Sequence, residues 1–89
     1  MLKLTKATQT LANKNGLQLD INIEDGNVLF FVTGEDENLI EYMFNEDRTK
    51  LTFKYQVYGN KIEDLPANID NTRLFNQVVK YIGSELINL

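Results

Sequence analysis

Apolar and polar residues alternate strictly between residues 17 and 24. The apolar positions are Leu17, Leu19, Ile21 and Ile23. A period of two residues is typical of a β-strand with one buried face. Asp25-Gly26 follows directly, and this dipeptide favours the positive φ angles of a type I′ turn. The pattern therefore predicts a β-hairpin in which the chain folds back into a second strand, residues 27–33.

The predicted turn also fixes which residues share a face of the hairpin. Folding about a two-residue turn sets three apolar pairs opposite one another on the inner face: Ile23 with Val28, Ile21 with Phe30, and Leu19 with Val32. Leu29 and Phe31 are then placed on the outer face, beside Asn22 and Asp20. Two apolar side chains on an otherwise polar face are the first indication of a functional surface.

Two further strands are predicted after the hairpin. An acidic loop, residues 34–38, leads into residues 39–44, where the larger side chains are assigned to the core: Ile40, Tyr42 and Phe44. A turn at residues 45–49 precedes another alternating strand, with inner positions Leu51, Phe53, Tyr55 and Val57. Gly59-Asn60 ends that strand. Residues 61–69 have no consistent period and contain Pro66, so they are predicted to form an irregular crossing segment.

A helix is predicted before and after the four strands. From Lys3 to Asn15 a narrow apolar stripe has helical spacing: Leu4, Ala7 and Leu11, with Thr8 and Ala12 beside it. Asn15-Gly16 offers the left-handed conformation that ends a helix. After the candidate N-caps at residues 70–72, a broader apolar face runs to the end of the chain: Leu74, Phe75, Val78, Val79, Ile82, Leu86 and Leu89.

These elements predict a single α-β-β-β-β-α domain over residues 1–89. Its fold class is α+β, a two-layer sandwich with an N-terminal helix, a four-stranded antiparallel β-meander and a C-terminal helix packed on one face of the sheet. A helix of about seventeen residues spans ~25 Å, which matches the length of an eight-residue strand.

Composition narrows the class of protein. With 43% hydrophobic and 25% charged residues, the chain is typical of one small folded domain. It has no cysteine and no apolar stretch as long as a membrane span, so we predict a cytoplasmic protein. The net charge of −4 argues against a general affinity for nucleic acid or anionic lipid. Abundant asparagine, and lysine in preference to arginine, indicate AT-rich coding, as in a low-GC bacterium or its phage.

Catalysis is disfavoured by the residues that the sequence lacks. Without histidine or cysteine, the usual neutral-pH base, thiol nucleophile and transition-metal ligands are missing. Ser84 follows Gly83 in the last predicted helix and is interpreted as a small residue that allows close packing. The acidic run Glu35–Glu37 lacks the spacing of a calcium loop. We therefore predict a protein without enzymatic activity, cofactor or metal, with carboxylate-only chemistry as the remaining catalytic alternative.

The outer face of the sheet provides the first functional hypothesis. Alternation across the strands places five apolar residues there: Leu29, Phe31, Leu39, Met43 and Tyr58. We predict that they form an interface for a protein partner or for a second copy of the chain in a homodimer. Alternatively, residues 61–69 fold over this face and bury it with Ile62 and Leu65, or a β-bulge changes the parity of a strand.

An acidic inhibitor is the second functional hypothesis. Such a protein would occupy a nucleic-acid-binding site of a host or phage enzyme and display six carboxylates in place of phosphates: Asp20, Glu24, Asp25, Glu35, Asp36 and Glu37. Direct nucleic-acid binding is disfavoured, because Phe31 and Tyr58 could stack on bases but share their face with several acids and Lys54. The dependence of binding on ionic strength distinguishes the two hypotheses, since a phosphate mimic loses its partner as ionic strength rises and an apolar face does not.

Overall fold

The fold is an α+β sandwich in which an antiparallel sheet, curled into a half-barrel, packs against two helices. The computed structural model describes residues 2–56 and 64–87, with side chains as far as Glu85. Its elements are α1 (Lys6–Lys14), β1 (Leu17–Asn22), β2 (Asn27–Val32), β3 (Asn38–Phe44), β4 (Leu51–Gln56), β5 (Asn68–Ile69) and α2 (Thr72–Ile87). The strands lie in sequence order, β1-β2-β3-β4-β5. The predicted fold class is confirmed, and the short strand β5 is an addition to the predicted meander.

Several predictions fall on residues outside the described part of the chain. They concern the inner position Val57, the interface residue Tyr58, the Gly59-Asn60 turn, the covering residue Ile62, and the helix-face side chains Leu86 and Leu89.

The first hairpin has a four-residue connection instead of the predicted two-residue turn. Asn22 pairs with Asn27, so Ile21 lies opposite Val28 and the predicted register was wrong by two residues. Gly26 has φ +75°, and its N–H donates to the carbonyl of Asn22 at 2.8 Å. Asp25 does not adopt the positive φ that a type I′ turn requires at both central positions. Because the error is an even number, the paired residues of the hairpin keep their predicted faces. The inner position predicted for Ile23 was wrong, since this residue lies in the connection and is 54% exposed.

A bulge in β3 changes the parity of that strand. Phe30 pairs with Ile40 but Phe31 pairs with Asn38, so Leu39 is the extra residue. Leu39 is consequently 4% exposed and belongs to the core, beside Ile40. Its predicted position on the outer face was therefore wrong.

A second bulge, in β4, has the opposite effect. Tyr42 pairs with Phe53 but Glu41 pairs with Tyr55, so Lys54 is the extra residue. Tyr55 then shares the outer face with Glu41 and is 39% exposed. Its predicted position in the core was wrong.

The core lies between the sheet and the helices and centres on aromatic side chains. Phe30 is fully buried, and its ring centroid lies 5.8 Å from that of Phe75 and 6.1 Å from that of Tyr42. Burying a phenylalanine side chain contributes about 2–3 kcal/mol, so this cluster is a main source of stability. The other fully buried large side chains are Leu17, Val28, Ile40, Leu51, Ile69, Val79 and Ile82.

The helix boundaries follow from side chains that bond to the backbone. Helix α1 begins at Lys6 because Thr5 is extended, and the Thr8 hydroxyl accepts the Thr5 N–H at 3.0 Å. Its buried residues are Thr8 and Ala12, whereas Ala7, predicted for the apolar stripe, is exposed. Asn71 caps α2, since its Oδ1 accepts the Leu74 N–H at 2.8 Å. Within the described residues, neither helix has the length and apolar character needed to cross a membrane.

Helix α2 approaches the end of α1 closely at Gly83. A Cβ atom on Gly83 would lie 2.6 Å from the carbonyl oxygen of Asn15, closer than packed side chains allow. Ser84 is exposed. The interpretation of Ser84 as the close-packing residue was therefore wrong, and its neighbour has that role.

The turn between β3 and β4 is organised by the side chain of Asn45. Its Oδ1 accepts the N–H groups of Thr49 and Lys50 at 2.9 and 3.0 Å, and its Nδ2 donates to Asp47 at 2.7 Å. The Thr49 hydroxyl also donates to Asp47 and lowers the pKa of this carboxyl group below its usual range. The predicted turn at residues 45–49 is thus confirmed.

Replacing Asn45 by Ala is expected to lower the free energy of unfolding by about 1–2 kcal/mol, because the turn loses several hydrogen bonds to backbone and side chain. Urea unfolding followed by circular dichroism measures this loss. Lys50→Ala, which changes an exposed side chain of the same turn, is the control and should stay within about 0.5 kcal/mol of wild type. Equal effects of the two substitutions would contradict the role assigned to Asn45.

Candidate protein-interaction surface

The outer face of the sheet is the side that faces away from the core. Strand pairing and the two bulges assign twelve side chains to it: Gln18, Asp20, Asn22, Asn27, Leu29, Phe31, Asn38, Glu41, Met43, Thr52, Lys54 and Tyr55. These residues come from β1 to β4, so the surface is carried by the regular part of the fold. Sites on rigid elements hold their side chains in fixed positions more readily than sites on loops.

Three of the five predicted interface residues lie on this face. Leu29, Phe31 and Met43 are half-buried there, packed among polar neighbours. Leu39 belongs to the core instead, and Tyr58 lies outside the described residues. The apolar part of the outer face therefore consists of fewer residues than the sequence suggests.

A line of side-chain hydrogen bonds crosses all four strands on the outer face. Asn22 Nδ2 donates to Asn27 Oδ1 at 2.9 Å, and Asn27 Nδ2 donates to Glu41 Oε2 at 3.3 Å. Lys54 Nζ reaches the same carboxylate oxygen at 3.5 Å. We call these four residues, Asn22, Asn27, Glu41 and Lys54, the polar line. Its members restrict one another's rotamers, so the polar groups of this face are held in place before any partner binds.

Glu41 is the most unusual member of the polar line. It is 6% exposed although it lies on the outer face, between its cross-strand neighbours Leu29 and Tyr55. A buried carboxylate requires hydrogen bonds or an opposite charge, and both described contacts fall on one of its two oxygens. The ion pair with Lys54 is long and the Lys54 side chain is half exposed, so the pair contributes little to stability.

Tyr55 adds an aromatic side chain that sequence reasoning assigned to the core. Its hydroxyl donates to Asn38 Oδ1 at 3.2 Å, which ties β4 to β3 across the outer face. A tyrosine combines a large apolar ring with a polar tip, a combination that is enriched at protein interfaces. The outer position of Tyr55 results from the bulge at Lys54, and no feature of the sequence indicates that bulge.

The described part of the crossing segment, residues 64–69, covers the core and not the outer face. Leu65 packs against the core, and the Pro66 carbonyl accepts a hydrogen bond from the buried hydroxyl of Tyr42 at 2.8 Å. Asn68 reaches the margin of the outer face, where its Oδ1 accepts the Thr52 hydroxyl at 3.1 Å. The alternative prediction that Leu65 covers the outer face is therefore wrong. Its second covering residue, Ile62, lies outside the described residues.

The carboxylates of the second hypothesis occupy opposite ends of the first hairpin. Glu24 and Asp25 lie in the β1–β2 connection, whereas Glu35–Glu37 lie in the loop between β2 and β3. Six residues of β2 separate the two groups, which corresponds to about 20 Å. Among the described residues, no three or more acidic side chains are grouped in a way that could hold a metal ion.

No protein-family model, curated protein or solved structure matches this chain.

Proposed function

We propose that this chain is a small non-catalytic interaction module of the cytoplasm that binds a protein through the outer face of its sheet. The observation that carries the proposal is the polar line, which fixes a buried carboxylate amid Leu29, Met43 and Tyr55 on a face that points away from the core. Apolar area around held polar groups is the usual anatomy of a protein interface.

Preorganisation is the physical reason that this face suits recognition. Immobilising a free side chain on binding costs roughly 0.5–1.5 kcal/mol, and the side chains of the polar line are already restrained by hydrogen bonds. The half-buried Leu29, Phe31 and Met43 lie on β-strands and have few conformations left to lose.

A second copy of the chain is the occupant that we propose. Glu41 and Lys54 carry opposite charges on the same face, so a two-fold arrangement can set the ammonium group of one copy beside the acids of the other. Four strands of six or seven residues give a face of about 20 by 20 Å, or roughly 400 Å². Stable interfaces bury about 800 Å² per partner, so we expect a weak homodimer with a dissociation constant of micromolar order or above.

The phosphate-mimic hypothesis receives less support. Carboxylates separated by about 20 Å in two groups do not form the continuous row that a nucleic-acid backbone presents. Asp20 lies between the two groups on the outer face, but this single carboxylate of β1 does not join them into a continuous row.

Phe31→Glu is expected to weaken self-association by about 30-fold or more, because it places a charge in the apolar part of the interface. Sedimentation equilibrium over a concentration series, at low and high salt, measures the monomer–dimer equilibrium. The wild-type dimer should persist in high salt, since apolar contacts are not screened. Circular dichroism should show that the variant remains folded.

Ala7→Glu is the matched control for Phe31→Glu. It adds the same charge at an exposed position of α1, away from the outer face, and should leave the association constant unchanged. A wild-type protein that stays monomeric up to millimolar concentration would show that a second copy is not the occupant. Unfolding of Phe31→Glu would show instead that Phe31 belongs to the stabilising core.

A further inference from the structure

Strand β1 is an edge of the sheet, and the pairing pattern shows which of its backbone groups face outward. In an antiparallel pair, residues alternate between exchanging hydrogen bonds with the neighbour strand and pointing away from it. The Thr33 N–H donates to the carbonyl of Gly16, which places the even-numbered residues of β1 toward β2. The N–H and C=O groups of Leu19 and Ile21 therefore lie in the plane of the sheet and point away from β2, at its free edge.

Helix α1 covers part of this edge with one side chain. Gln9 Nε2 donates to the Leu19 carbonyl at 2.6 Å, and Gln9 Oε1 accepts the Leu19 N–H at 3.2 Å. The carboxamide thus imitates the peptide group of a neighbouring strand. Exposed strand edges are sites of unwanted pairing, and this arrangement closes the edge at Leu19.

The edge stays open one step further along β1. Within residues 2–56 and 64–87, the outward N–H and C=O of Ile21 have no hydrogen-bond partner. Ile23 follows and is 54% exposed, the most exposed large apolar side chain that the structure describes. On the opposite side of the sheet, the backbone of β4 is covered. Strand β5 pairs with Leu51 and Thr52, and the Ala67 carbonyl accepts the Phe53 N–H.

Charge indicates what kind of segment fits the open edge. Asp20, Glu24 and Asp25 flank it, are all exposed, and share the stretch 17–26 with no lysine or arginine. Arg48 approaches Gly26, but its guanidinium donates to the Asn45 carbonyl and lies over the Phe44 ring. A second copy paired through this edge would bring like charges together, whereas a basic segment would be attracted.

We propose that the open edge of β1 at Ile21 binds an extended basic segment of a partner protein as an added antiparallel strand. Apolar residues of the segment would lie on the side of Ile21 and Ile23, and its alternating basic residues would lie on the outer side, beside Asp20. This site is distinct from the outer-face contact surface, because recognition runs through backbone groups of β1.

The test uses a peptide probe and the complete chain. An acetylated and amidated peptide of three Lys-Val repeats is added to ¹⁵N-labelled protein, and amide shifts and hydrogen exchange are recorded by NMR. We expect shift changes concentrated at residues 20–24 and slower exchange of the Ile21 amide, with weakening as salt is raised. The matching Glu-Val peptide should bind at least tenfold more weakly.

N-methylation of the peptide separates strand addition from charge attraction alone. In the proposed pairing, the valine N–H groups face Ile21 and the lysine N–H groups face away. Methylating the valine nitrogens should therefore weaken binding by about fivefold or more, and methylating the lysine nitrogens should have little effect. The reverse result would keep strand addition but make it parallel, which would correct the proposed direction.

Gln9→Ala provides a test on the protein side. It uncovers the Leu19 backbone groups next to those of Ile21, so the open edge becomes longer and the Lys-Val peptide should bind several-fold more tightly. Thermal unfolding confirms that the variant is folded at the temperature of the titration.

Four results would each overturn the proposal: no shift changes at millimolar peptide, shift changes confined to the outer face, equal binding of the acidic peptide, or equal effects of the two methylation patterns.

Discussion

Replacing Gly83 by Ala is expected to lower the free energy of unfolding by about 2 kcal/mol. In most helices this substitution is stabilising by roughly 0.5–1 kcal/mol, because alanine has the higher helix propensity. Here the added Cβ would meet the Asn15 carbonyl oxygen at 2.6 Å and the Asn15 Cβ at 2.8 Å. The first of these atoms is backbone, so α1 or α2 must shift to make room, and overpacking of this kind costs about 1–3 kcal/mol.

Urea unfolding of the Gly83→Ala variant measures this change, and the sign of the change is the informative result. Lys80→Ala is the control, since it alters an exposed residue of the same helix and should stay within about 0.5 kcal/mol of wild type. Gly83→Val should be worse than Gly83→Ala, because a larger side chain requires a larger displacement of α1. A Gly83→Ala protein more stable than wild type would mean that the end of α1 yields without loss of packing.

Gly83 also illustrates what sequence can reveal about this fold. A small residue in the last helix predicts a close approach, but the sequence does not show which neighbour is approached or which of two adjacent small residues faces it. Hydrophobic periodicity predicted the helices and the four main strands, because each has one buried face. The paired residues of the first hairpin kept their predicted faces even with the wrong turn, since strand parity survives an even shift in register, and only Ile23 moved from the inner face into the connection.

The candidate surface was less predictable because bulges decide its membership. One extra residue reverses the parity of everything beyond it, so Leu39 moved into the core and Tyr55 moved out. Bulges depend on packing between strands that are distant in sequence, and the alternating pattern of β4 continues through Lys54 without interruption. The cover that Gln9 gives to β1 was also missed, because it depends on a contact between two elements.

Above pH 10 the protein is expected to lose stability steeply because of Tyr42. This side chain is fully buried, its hydroxyl donates to the Pro66 carbonyl at 2.8 Å, and the Phe53 ring packs edge-on at 5.5 Å. Burial raises the pKa of Tyr42 well above its ordinary value of 10.0. The folded state therefore keeps the phenol neutral over a range of pH in which the unfolded chain ionises it.

The sign of the pH dependence follows from this difference. A pKa that is higher in the folded state contributes stability that is complete below pH 10 and is lost as the pH rises toward the folded value. The loss approaches about 1.4 kcal/mol per pH unit once the unfolded phenol is mostly ionised, so roughly 2 kcal/mol should be lost from this group between pH 10 and 12. Urea unfolding at intervals of half a pH unit measures the slope.

Tyr42→Phe isolates the contribution of the hydroxyl group. At pH 7 the variant should be less stable than wild type by about 1–2 kcal/mol, because the Pro66 carbonyl loses its donor. Above pH 10 its stability should fall less steeply than that of wild type, so the two curves should converge and cross near pH 11–12.

Asn45→Ala is the matched control, since it is expected to be destabilised by a similar amount but retains Tyr42 and should keep the wild-type slope. Parallel curves for wild type and Tyr42→Phe would mean that the phenol ionises equally in both states and that water reaches it in the folded protein.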